Sequence, residues 1–102
     1  LLLGHDHYAT LVNFDNLPGI VSGAVQECRK PDITNNVQEG VTVKTRWMYD
    51  MTPHWVRLDV DADTGHTTAH FIRASDGKSR CTVEIDRGQD AKLGDDCAKS
   101  KP

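Results

Sequence analysis

Three cysteines, Cys28, Cys81 and Cys97, are the side chains of this sequence best equipped for covalent chemistry. An odd count allows one bridge and leaves one thiol, and three single-bridge pairings are open. A bridge from Cys97 to a strand cysteine would order an otherwise polar end of the chain. Pairing it with Cys81 closes a loop of about 15 residues, worth roughly 3 kcal/mol if the bridge acts by restricting the unfolded chain. Cys28 is then free or intermolecular. Its neighbours Arg29 and Lys30 favour the thiolate, the form that attacks a second sulfur. Pairing Cys28 with Cys97 instead leaves Cys81 as a small buried apolar residue.

Metal chemistry has two candidate groups. His5 and His7 share one face of an extended segment about 7 Å apart, a spacing that can chelate Zn²⁺ or Cu²⁺ with help from elsewhere. The plainer reading is a polar terminus that begins a strand. Asp59, Asp61 and Asp63 alternate before Gly65 like the start of an EF-hand loop. The glycine comes one place late, and His70 stands where the loop needs a bidentate Glu. These aspartates are expected to form a solvated edge that discourages edge-to-edge aggregation. His66 and His70 are four apart, roughly 13 Å on a strand, too far to share an ion. No cofactor is expected.

Acid–base groups are present as Glu84, Arg80 and the histidines, the residue types that small acidic secreted ribonucleases carry on a sheet. Their spacing assembles no recognisable centre. Ser22, Ser75, Ser79 and Ser100 lie in no nucleophile-elbow context. No catalytic residue is assigned, and a non-enzyme is expected. His54 and Trp55, beside Pro53, form a candidate recognition surface, because an exposed indole at a turn suits a binding hot spot. Alternatively, Trp55 caps the open end of a barrel.

Strands must position these groups. Six segments alternate or are rich in β-branched and aromatic residues: 7–14, 20–28, 41–49, 55–60, 67–74 and 79–86. Within 20–28, Gly23 suggests a bulge, with a short helix as the competing reading. In 41–49, Val41, Val43, Thr45, Trp47 and Tyr49 share the face expected to be buried. In 55–60, Val56, Leu58 and Val60 point inward and Trp55, Arg57 and Asp59 outward; Cys81, Val83 and Ile85 point inward from the last strand. Turns are expected at 15–19, 50–54, 61–65 and above all at Ser75-Asp76-Gly77-Lys78, where glycine supplies a positive φ. Segment 29–40 reads as a long loop, and 87–102 as a tail tethered by Cys97. The strands from Val41 to Ile85 are expected to fold back as one continuous meander. The fold class is therefore all-β, a single domain over 1–102 built as an antiparallel β-sandwich or small β-barrel of about six strands.

Composition narrows the function. The chain has 102 residues, 37% hydrophobic and 26% charged, with net charge −3, and its mean hydropathy is −0.54. That suits one small core in need of a covalent staple. A pI near 5.9 and the lack of a basic stripe argue against nucleic acid. No run of eighteen apolar residues is available for a membrane span. The start Leu1-Leu2-Leu3-Gly4 lacks Met and is read as a mature end left by signal removal, an artificial start being the alternative.

In length, strand-rich patterning, few cysteines and mild acidity, the chain resembles the small secreted cysteine-containing proteins of filamentous fungi that act as effectors or elicitors. The likeness is at the level of the class and transfers no functional residue. It implies an extracellular address and elicitation of host immunity through a host or cell-surface partner. The resulting expectation is a secreted, non-enzymatic recognition module acting through its surface as a homodimer. Two alternatives stand beside it. One is a β-barrel that binds a lipid or sugar in a cavity lined by Trp47, Tyr49 and Phe71. The other is a small secreted hydrolase such as a ribonuclease, which needs Glu84, Arg80 and a histidine within reach of one another.

Overall fold

Alternating apolar residues put Leu11, Trp47, Phe71 and Val83 on facing inner surfaces, and the chain folds as an all-β sandwich in the computed structural model. The structure describes residues 1–4, 9–15, 17–22, 35–48 and 52–99. The first sheet contains β1 (Leu2–Leu3), β2 (Ala9–Phe14), β3 (Leu17–Ser22), β4 (Asn35–Gln38) and β5 (Val41–Met48), in the order β1-β3-β2-β5-β4. Only β1 runs parallel to its neighbour, β3. The second sheet is the antiparallel series β6 (His54–Val60), β7 (Thr67–Arg73), β8 (Ser79–Ile85) and β9 (Lys92–Leu93), followed by helix α1 (Asp95–Lys99).

One cluster joins the sheets. Ala9, Leu11, Ile20 and Trp47 from the first pack against Ala69, Phe71, Cys81 and Val83 from the second. The Trp47 and Phe71 rings lie 4.7 Å apart between centroids, a tilted packing that adds to the large apolar area each ring buries. A polar tie crosses the same interface, as Trp47 Nε1–H donates to the Cys97 carbonyl at 3.1 Å. Within the first sheet, the Thr10 hydroxyl of β2 donates to the Trp47 carbonyl of β5. Val12, Val21 and Val43 form a smaller cluster with Phe14.

Backbone requirements explain the sharp reversals. Glu39 and Gly40 take φ of 51° and 80° between the paired residues Gln38 and Val41, the type I′ geometry that matches strand twist. At Gly19 an added Cβ would stand 2.5 Å from a ring carbon of Phe14, so that ring can lie on the backbone only because the position is glycine. Cys81 and Cys97 are bridged, 16 positions apart. The expected tether thereby holds the end of the chain, which continues as β9 and α1.

Several expectations are corrected. The meander does not run unbroken from Val41 to Ile85: β5 belongs to the first sheet, and the four-stranded meander starts at β6. The 29–40 loop contains β4, because the two positive-φ residues close a hairpin there. The turn after β2 is shorter than 15–19, since β3 begins at Leu17 and Pro18 already pairs with Asn13. Leu58 and Val60 share the inner-facing side of β6 but are 38% and 62% exposed, as β6 is an edge strand whose far end the first sheet does not cover. Val41 is likewise exposed, whereas Val43 and Trp47 on the same face are buried. The expected strand at 20–28 ends within the description at Ser22, and Gly23, Cys28 and Tyr49 lie outside the described residues.

Candidate functional site

The outer face of the second sheet carries three polar rungs. Strand pairing aligns Asp59 with Thr68, Glu84 and Lys92, and Arg57 with His70 and Thr82. Continuing that register past the strand ends puts Asp61, His66 and Asp86 on the third. Antiparallel pairing puts such side chains within about 5 Å of one another on one face.

His66 is the centre of this face. Its Nδ1 lies 2.6 Å from Asp86 Oδ1, and its Nε2 2.5 Å from Glu84 Oε2. Glu84 Oε2 also accepts the Thr68 hydroxyl at 2.9 Å. The Asp86 carboxylate first, and Glu84 second, raise the His66 pKa above its ordinary value. Both ring nitrogens thus face carboxylate oxygens, which favours the protonated imidazole and lets it clasp the two strands.

Other groups of the face are also paired. His70 Nε2 lies 3.0 Å from Asp59 Oδ2, and Arg57 Nε lies 3.3 Å from Asp59 Oδ1. Asp61 Oδ1 accepts the backbone N–H groups of Asp63 and Thr64 at 2.9 and 3.2 Å, which hold its carboxyl below the usual range. At the adjoining hairpin, Arg73 and then the Lys78 N–H keep the Asp76 carboxyl well below that range. Asp96, in the first turn of α1, accepts both the N–H and the hydroxyl of Thr82.

The sequence candidates fall out unevenly on this geometry. The structure joins Glu84 to a histidine but not to Arg80, which sits four positions along β8, roughly 13 Å away on an extended chain. Asp59, Asp61 and Asp63 serve different partners, and among the described residues no group of three or more His, Cys, Asp or Glu is placed to hold a metal ion. His5 and His7 lie outside the described residues. Trp55 is exposed, as a recognition residue must be, but His54 is a correction: it is 1% exposed, with Nδ1 2.7 Å from the Thr52 carbonyl. His54 opens β6 on the same face as Val56 and Leu58, so strand alternation carries its ring inward. The interior lining expected of a ligand carrier is filled by Trp47 and Phe71 themselves. Space opens instead at the sandwich mouth, as a groove of about 360 Å³ lined by Leu1, Leu2, Leu17, Ile20, Leu58 and Ile85.

The clasp of His66 by Glu84 and Asp86 was missed by sequence reasoning, although the hairpin after β7 held the signal. With Ala69 and Phe71 inward on β7, and Cys81, Val83 and Ile85 inward on β8, His66 shares the outer face with Glu84 and Asp86, and the observed register sets it opposite Asp86. No family model, curated protein or solved structure matches the chain.

Proposed function

We propose that this chain is an extracellular, non-enzymatic recognition module that acts through its surface as a homodimer, in the manner of a secreted effector or elicitor. One contrast carries the reading. On the outer face His66, His70, Arg57, Asp59, Glu84 and Asp86 are spent on one another, whereas Trp55, Leu58, Val60 and Leu17 present exposed apolar surface at the edge and mouth of the sandwich. Apolar and aromatic side chains left in water mark contact surfaces more often than reaction centres. The Cys81–Cys97 bridge is compatible with an oxidising, extracellular address.

The test is infiltration of leaf tissue with purified, oxidised protein and measurement of ion leakage. Wild type and Glu84→Gln should elicit equally, while Trp55→Ala should need roughly tenfold more protein or greater, the cost of losing a hot-spot aromatic. No response to wild type overturns the elicitor reading. A response lost in Glu84→Gln but kept in Trp55→Ala points to chemistry instead. That second reading, a small hydrolase, has the 2.5 Å contact between His66 and Glu84 in its favour, and RNA turnover abolished by Glu84→Gln would establish it.

A further inference from the structure

Sheet edges are where a sandwich is open to further pairing, and among the described residues the four edge strands differ in length. β1 and β9 have two residues each and β4 has four, whereas β6 presents seven. A long edge without proline, carrying exposed apolar side chains, is a template for another strand. Building on the homodimer reading, we infer that the partner at this edge is a second copy of the same chain, paired β6 to β6 about a two-fold axis through Leu58.

The direction of the backbone groups on β6 follows from its ladder with β7. The Asp61 N–H donates to the His66 carbonyl, and the Ala74 N–H donates to the Pro53 carbonyl, with no register shift between them. In an antiparallel ladder the residues that bond the neighbour alternate with those that do not. Odd-numbered residues from 53 to 61 therefore bond β7, and Val56, Leu58 and Val60 direct their N–H and C=O groups to the open edge.

A two-fold partner strand must bond through these same even residues, which leaves few registers. Centring on Leu58 pairs Leu58 with itself and Val56 with the partner's Val60, each pair exchanging both backbone bonds. Arg57 then stands opposite the partner's Asp59, and Asp59 opposite the partner's Arg57, in the non-bonded positions where side chains come closest. Centring one residue earlier puts Arg57 against its own copy; centring one later does the same to Asp59. Charge thus selects one register, since like charges directly opposite oppose pairing and opposite charges favour it. On the inner-facing side, Val56, Leu58 and Val60 meet their counterparts and leave water. Arg57 and Asp59 touch within one chain at present, so pairing exchanges one ion contact for two across the axis. The product is one eight-stranded sheet, a closed assembly that uses the same patch on both copies.

Sedimentation velocity across a concentration series, with circular dichroism to check folding, tests this. Wild type should dimerise. Arg57→Asp should raise the dissociation constant about tenfold or more, because it turns both attractive pairs repulsive. The double variant Arg57→Asp/Asp59→Arg should return it to within about threefold, since the pairs reverse sign but stay complementary. Leu58→Pro should abolish dimerisation while keeping the fold, because the lost N–H faces the open edge and not β7. A monomeric wild type at every concentration overturns this proposal and the homodimer reading together. A dimer indifferent to Arg57→Asp and Leu58→Pro overturns the β6 edge alone. Loss of the dimer in Arg57→Asp without recovery in the double variant overturns the register.

Discussion

A histidine ring clasped by two carboxylates gives the fold a pH response of definite sign. Asp86 and Glu84 raise the His66 pKa above its ordinary 6.5. The folded state therefore binds the proton more tightly than the unfolded chain does. The stabilisation is complete below about pH 6.5 and disappears as pH rises through the raised folded value. Its size is limited because the group is solvated and screened. Thermal melts from mildly acidic to alkaline pH should show wild type losing its advantage over His66→Asn as the ring deprotonates. Parallel curves for the two proteins would sink the assignment.

At the scale of elements, the bridge and the β7–β8 hairpin do the positioning. Cys81 lies mid-strand in β8 and Cys97 in α1, so the bond ties β9 and the helix back onto the sheet. Removing it in Cys81→Ala/Cys97→Ala should cost about 3 kcal/mol by the loop-entropy argument. Amide exchange should quicken over 91–97 and stay slow in β7; uniform acceleration would show that the bridge holds the whole fold. The hairpin works by a one-residue irregularity. Ile72 pairs with Ser79 but Phe71 with Cys81, which leaves Arg80 as an extra residue on β8. Without that bulge, the register set by the turn would put His66 opposite Ile85. The bulge aligns the apolar faces and in the same stroke brings His66 to Asp86 and Glu84.

For the whole molecule, the shared cluster around Trp47 and Phe71 binds the two sheets into one core. Denaturation followed by far-ultraviolet circular dichroism and by tryptophan fluorescence should give coincident transitions. Separate midpoints would mean that the sheets melt independently.

Much of this architecture was legible in the sequence. Alternation located β2, β5, β6, β7 and β8 to within a residue or two, Gly77 marked the hairpin, and the bond between Cys81 and Cys97 was among the open pairings. The strands and the hairpin are local features, set by the two-residue repeat of side chains and by φ at single positions. Only the tertiary structure decided that β5 leaves the meander for the opposite sheet and that Leu58 and Val60 stay in water. Each of these depends on which strand becomes a neighbour and where a sheet stops. Such pairing is a contest among distant segments for the same backbone bonds and apolar cover, and a strand's own pattern says which face is apolar without saying what will cover it.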